Sequence, residues 1–202
     1  MTTSNKNTYK RKFLFRLLYL IFLILYMSIF ISILLKSEKV SASRYPNYSV
    51  CFTPSANHSR SCTDFIVQQI VDAKESIFVQ AYGFSSKNII HALINAKTRG
   101  VEIEIILDKS NFHKNKKYIL DLLTRYKIEF YQDKVPGIAH NKIMIIDKKK
   151  VLTGSFNFTD AAEKRNSENI IVLTDFNIAE IYLKNWHARK MHALNKVSIT
   201  KE

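Results

Sequence analysis

His140, Lys142 and Asp147 stand within eight residues of one another, and Gly154, Ser155 and Asn157 follow closely, in the pattern H-x-K-x4-D-x6-G-S-x-N. In an extended chain, residues i and i+2 share a face. His140 and Lys142 should therefore project together, and Ser155 and Asn157 should do the same on the next candidate strand. An imidazole beside an ammonium, a hydroxyl and an amide suits displacement at phosphorus. The imidazole attacks, and the other groups hold the non-bridging oxygens as charge shifts. A lone histidine is more often structural and a lone lysine more often a solvated surface residue. The i, i+2 pairing, with Ile143 and Met144 beside Lys142, argues for a site. Ser155 and Gly154 read equally well as an ordinary strand-to-loop break. Asp147 lies seven residues from His140, an odd spacing that turns it to the opposite face of a straight strand. The spacing thus gives it a structural task, fixing the turn or a neighbouring basic group.

These residues resemble the HKD signature of the phospholipase D superfamily. A single copy in a short chain is similar to its small branch, the bacterial single-motif endonucleases and small secreted phospholipases D. Within that branch the chain resembles most the small secreted phospholipase D of obligate intracellular bacteria. The likeness runs from Phe52 to about Leu173. It takes in Phe52-Thr53-Pro54, Ile77 to Tyr82, the run from Arg99-Gly100-Val101 to Leu107-Asp108, the signature itself, and Asn166-Ser167-Glu168-Asn169. The resemblance implies His140 as a nucleophile forming a phosphohistidine, with Lys142, Ser155 and Asn157 holding the phosphate. It places Asp147 in the catalytic signature despite its spacing. It also implies that Glu168 hydrogen-bonds the imidazole, orienting it and raising its basicity, with a surface strand carboxylate as the alternative. No cofactor and no metal are implied. The family's general acid is a second motif histidine, yet His58, His91, His113, His187 and His192 all lack a lysine two residues on. The second histidine is therefore expected from a symmetry mate, in a homodimer with the active site at its two-fold interface.

The elements that must position these residues alternate. Thr63-Asp64 is expected to cap a helix carrying Phe65, Ile66, Ile70 and Val71 on one face, ending near Lys74. Ser76 to Tyr82 reads as a strand, Ser86 to Arg99 as a helix closed by Gly100, and Val101 to Leu107 as a strand. Asn115 to Tyr126 reads as a helix, Lys127 to Tyr131 as a strand, and Val135-Pro136-Gly137 as a turn into the motif. A hairpin turn at Lys148 to Lys150, strands at Val151 to Gly154 and Glu168 to Thr174, and a helix from Ala179 to His192 complete the pass. Strands separated by helices, then a hairpin, predict an α/β fold: a mixed β-sheet sandwiched by helices, the phospholipase D/nuclease fold. An N-terminal hydrophobic export helix precedes it. Hydrophobic residues make up 47% of the chain and there are only 4 Gly and 3 Pro, which excludes a disordered protein.

Lys6, Lys10, Arg11, Lys12 and Arg16 precede Leu17 to Leu35, 19 residues without a charge. That meets the roughly 18 residues of a spanning helix, with the basic flank kept in the cytoplasm. Residues 1–43 are expected to be a signal peptide, cleaved after Ala42, or a retained signal anchor; residues 44–202 form the catalytic domain. The protein is then secreted, or membrane-anchored with its domain outside the cytoplasm. Cys51 lies too far past the apolar run for lipoprotein acylation. Cys51 and Cys62 are eleven apart, and a disulfide, two free thiols, or a metal site with His58 all stay open.

The formal net charge is +14; residues 1–43 hold seven basic and one acidic residue, leaving 24 against 16, or +8, on the domain. An anionic partner follows, either nucleic acid or a phospholipid membrane, and Lys109, His113, Lys114, Lys116 and Lys117 cluster near the expected site. The export signal favours lipid. The expectation is hydrolysis of phosphatidylcholine-like phospholipids to phosphatidate and free head group, on host membranes as a virulence factor. The alternatives are a metal-independent non-specific endonuclease and a membrane-anchored, non-catalytic binder of anionic phosphate. Phe84, Phe112, Phe156 and Phe158 read as loop aromatics that insert among acyl chains or stack bases, or, equally for the last two, as core.

Overall fold

A computed structural model describes residues 3–38, 47–54, 61–113 and 117–195 of the chain. The chain divides into two compact units, Met1–Tyr45 and Pro46–Glu202. The first holds helix α1, Thr3–Glu38. Its described side chains reach Ile31 and all are exposed, so the described part of the uncharged run falls just short of a spanning length. Among the described residues no helix is long and apolar enough to cross a membrane. The expected cleavage point after Ala42 and the position of His58 lie outside the described residues.

The second unit is built on seven strands: β1 Asn47–Thr53, β2 Ser76–Ala81, β3 Glu102–Asp108, β4 Glu129–Asp133, β5 Lys142–Ile146, β6 Lys150–Gly154 and β7 Glu168–Thr174. They form one sheet in the order β1-β7-β6-β5-β2-β3-β4. The β2-β3-β4 part is parallel and the remainder antiparallel. The sheet is thus mixed, as the alternation of elements predicts. Its helices are α2 Cys62–Asp72, α3 Lys87–Thr98, α4 Lys117–Arg125, α5 Asp160–Lys164 and α6 Phe176–Asn195.

Side-chain alternation splits the core in two. Ile77, Val79, Ile103, Ile105, Met144 and Leu152 face a large cluster completed by Ile66 and Ile70 of α2 and by Ile89 and Leu93 of α3. Phe78, Ile106, Ile143, Ile145 and Val151 face the other way, onto Ala179 and Trp186 of α6. The buried Trp186 indole donates to the Val79 carbonyl at 3.0 Å, so the one polar atom of this large side chain is satisfied. With both faces covered, all six residues of β2 and all five of β5 are buried.

Local signals explain most element ends. Helix α3 closes in a Schellman motif: Val101 N–H donates to Ala96 O at 3.1 Å and Gly100 N–H to Lys97 O at 3.0 Å, with Gly100 at φ +92°. The β5–β6 hairpin turns through Asp147 and Lys148, both at φ +51°, and Lys149 N–H donates to Ile146 O at 3.0 Å. That is a type I′ turn, one residue earlier than Lys148 to Lys150. Helix α2 is capped by Ser61, whose hydroxyl accepts from Asp64 N–H at 3.0 Å, rather than by Thr63-Asp64. Val71 is 47% exposed, because the buried stripe of this helix runs through Cys62, Ile66 and Ile70, with Phe65 and Val67 partly covered beside it. Cys51 on β1 and Cys62 at the head of α2 are joined by a disulfide, with Cα atoms 5.6 Å apart.

Candidate active site

The motif sits where β5 begins. Because β2 and β5 run antiparallel, with Ala81 opposite Lys142, the start of β5 meets the end of β2. Tyr82 N–H donates to Asn141 O at 2.8 Å, which carries the ladder one bond beyond the strands. The Tyr82 ring then lies 4.6 Å, centroid to centroid, from the exposed His140 ring. Lys142 is only 5% exposed; its Nζ donates to the His140 carbonyl at 2.8 Å and stands 5.0 Å above the same Tyr82 ring. One aromatic ring is therefore in contact with both the imidazole and the ammonium. Burial pushes the Lys142 ammonium below the ordinary lysine value, and the Glu168 carboxylate opposes that shift.

Ser155 and Asn157 are not on a strand. β6 ends at Gly154, where an added Cβ would stand 2.3 Å from Asn169 O, so only glycine lets β7 approach this closely. The Ser155 hydroxyl accepts from Asn169 N–H at 3.1 Å and is drawn toward β7. Asn157 instead turns toward β2: a Cβ on Gly83 would stand 3.2 Å from its Cβ and Oδ1. Asn157 Oδ1 is buried with no hydrogen-bond partner. The shared-face expectation for this pair thus fails, because the chain leaves extended geometry at residue 155. The same loop is anchored by Phe156 and Phe158, both wholly buried, and Phe158 O accepts from Ser85 and Ser86 N–H at 2.9 Å each. Phe84 is 1% exposed. These three rings are core, and none reaches solvent to enter a membrane.

Glu168 opens β7, and Thr53 sets its place by accepting from Glu168 N–H at 3.1 Å. Its carboxylate accepts from Asn166 Nδ2 at 2.8 Å, not from the imidazole as expected, since β6 lies between β7 and β5. Its link to the site is electrostatic, through Lys142. Asp147 is at the far end of β5, away from His140. Its carboxylate accepts from the N–H groups of Lys74 (3.0 Å), Glu75 (2.7 Å) and Ser76 (3.1 Å), tying the α2–β2 turn to the hairpin. The carboxylate thus braces this turn at the end of β5 opposite His140, and its odd spacing from the histidine agrees with that position.

The structure adds residues that read only as strand ends in the sequence. Tyr82 is one. Asp108, 1% exposed at the end of β3, accepts from Ala139 N–H at 2.8 Å and Ser110 N–H at 2.9 Å. Those bonds hold its carboxyl below the ordinary range although burial alone would raise it. Asn111, buried in the following 3-10 turn, donates to Tyr82 O at 2.7 Å. Asp108 and Asn111 thus brace the segment before His140 and the tyrosine whose ring touches it. A charged residue closing the apolar run Ile105 to Leu107 is the signal that marks Asp108 in the sequence. His140 opens onto a cleft of about 560 Å³, shared with Thr153, Ile181, Tyr182 and Asn185. Lys114 and Lys116 of the basic cluster lie outside the described residues. Among the described residues no group of three His, Cys, Asp or Glu side chains is arranged to hold a metal ion.

Residues 66–189 match the family described as "Cardiolipin synthase, PLD-like domain". The chain belongs to the phospholipase D-like family. It is 58% identical over 144 residues to "Phospholipase D" of Rickettsia typhi, covering 71% of this chain and 68% of that one. It is 54% identical over 156 residues to "Phospholipase D" of Rickettsia conorii, covering 77% and 76%. Among solved structures, the phospholipase D family member Nuc from Salmonella typhimurium superposes with a TM-score of 0.65 at 35% identity, covering 71% of this chain and 93% of that one. The chain is a phosphodiesterase of the phospholipase D type, a hydrolase, and its fold is that of the Nuc-like branch.

Proposed function

We propose that this protein is an exported phospholipase D that cleaves glycerophospholipids to phosphatidate and free head group. The observation that carries the reading is the convergence of exposed His140 and buried, cationic Lys142 on Tyr82 at the mouth of an open cleft. His140 attacks phosphorus, a bond to nitrogen forms and the bond to the head-group oxygen breaks, leaving a phosphohistidine. Water then displaces the histidine, which takes back its electron pair, so phosphorus keeps its configuration after two inversions. Lys142 and Asn157 hold the non-bridging oxygens as charge develops on them. In Asn157 the donor for a phosphate oxygen is Nδ2, since Oδ1 can only accept. The leaving oxygen takes its proton from His140 of a second copy across a two-fold axis. A basic flank before an uncharged run in α1 supports export or anchoring with the catalytic unit outside the cytoplasm, where host membranes are the substrate of a virulence factor.

The competing reading is a nuclease, which the +8 charge of the domain also fits. Full-length protein in mixed micelles, with EDTA present, is assayed on choline-labelled phosphatidylcholine and on single- and double-stranded DNA, beside His140→Ala. Head-group release that vanishes in the variant is the expected result. DNA cleavage with intact lipid would make the protein a nuclease, and full activity of the variant on every substrate would overturn the site itself.

A further inference from the structure

The Tyr82 ring lies 4.6 Å from that of His140, and Tyr82 also lines a cavity of about 440 Å³ distinct from the His140 cleft, walled by Lys109, Ser110, Phe112, His113, Gln132 and Ile138. This cavity lies at the carboxyl ends of the parallel strands β2, β3 and β4, where the register sets Asp108 opposite Asp133. Ligands of open α/β sheets bind at such ends. A phosphate held at His140 and Lys142 therefore has an adjoining space into which one of its two ester arms extends.

The lining selects that arm by charge. Lys109 and His113 are exposed at the rim, and Lys109 makes only a long 3.5 Å contact to Pro136 O, leaving ammonium protons for a ligand. The one carboxylate in the wall, Asp108, is 1% exposed and already accepts two backbone N–H bonds, with Lys109 close enough to lower its pKa. It presents no free oxygen to a cationic head group. Gln132 and the Ser110 hydroxyl add neutral donors. A quaternary ammonium finds no free carboxylate here, whereas a second anionic phosphate finds the Lys109 ammonium and, in the His113 ring, a further hydrogen-bond donor.

We propose that this cavity is a subsite for a second phosphate, carried on the head group of the lipid. The inference rests on the phospholipase reading and sharpens it: among glycerophospholipids, the preferred substrates are those whose head group ends in its own phosphate.

Phosphatidylglycerol and phosphatidylglycerophosphate of identical acyl composition differ only in that terminal phosphate. In mixed micelles with full-length protein, kcat/KM is expected to favour the phosphorylated lipid by about tenfold or more, the size of one or two charge-assisted hydrogen bonds. In Lys109→Ala combined with His113→Ala, that ratio should fall close to one, and Lys109→Arg should keep most of it. A ratio near one in the unaltered protein, or one that survives in the double variant, would overturn the subsite. So would a ratio lost only for dinucleotides with and without a terminal phosphate, which would assign the cavity to nucleic acid. Calorimetric binding of glycerol 1,3-bisphosphate against glycerol 3-phosphate reads the same preference without turnover. A bisphosphate preference that depends on Lys109, in protein that leaves lipid intact, would keep the anion site and sink the phospholipase reading alone.

Discussion

The residues flanking β5, His140 and Asp147, lie seven residues apart, and the two ends of the strand are built on opposite principles. At the Asp147 end every strong acceptor is used: one carboxylate takes three backbone N–H groups, and the turn beneath it is a type I′ hairpin. At the His140 end the groups are held by contacts that leave their chemistry open. The imidazole is exposed against a ring, the ammonium is buried with only a carbonyl as hydrogen-bond partner, and an amide oxygen has none. Single buried polar atoms without a partner occur at both ends, Asn157 Oδ1 here and Ser76 Oγ there, so the difference lies in the exposed imidazole and the buried ammonium beside it. On the proposed mechanism, a family signature that spans both ends contains a reacting half and a bracing half.

Substitution at the two ends should separate these halves. Lys142→Met keeps the volume and removes the charge, and turnover is expected to fall by roughly 10² to 10³-fold, with thermal stability kept or raised because a buried ammonium is lost. Asp147→Asn should do the reverse. Denaturant unfolding should show a loss of about 1–3 kcal/mol from weakened bonds to three N–H groups, while kcat of the folded fraction stays within about twofold. If Asp147→Asn abolished kcat in fully folded protein, the division of the strand would be wrong.

A smaller effect sharpens the comparison through pH. The Lys142 pKa is lowered from 10.5 by burial, with Glu168 opposing. Between the folded value and 10.5 the unfolded chain binds more protons, so the contribution to stability rises with pH there, while activity falls as the ammonium is lost. The alkaline limb of the kcat profile should therefore lie below 10.5. Glu168→Gln removes the opposing carboxylate and should move that limb further down. An unmoved limb would mean that another group sets it.

How far the sequence discloses this site depends on how local each signal is. His140 and Lys142 are legible because two residues of separation fix a shared face. Asp147 is legible as structural from its odd spacing. Ser155 and Asn157 are misread by the same rule, since the rule holds only while the chain stays extended. Tyr82, Asp108 and Asn111 are hidden because sequence distances of about 30 to 60 residues separate them from the motif they brace. Among the elements, β2 to β7, α2 to α4 and α6 follow from periodicity and caps. Strand β1 does not, because its pattern is inverted: Tyr48, Val50 and Phe52 are exposed while Thr53 is buried. Helix α5, five residues long, is too short to show a period.

The central claim is that the exposed imidazole at the start of β5 is the nucleophile. Its most direct test is rapid acid-free quenching of full-length protein during turnover of a short-chain phospholipid, followed by mass mapping of the covalent adduct. A phosphatidyl group on the peptide carrying His140, absent from His140→Ala, is the predicted result. An adduct on any other side chain, or product formed with no adduct at any time, would contradict it.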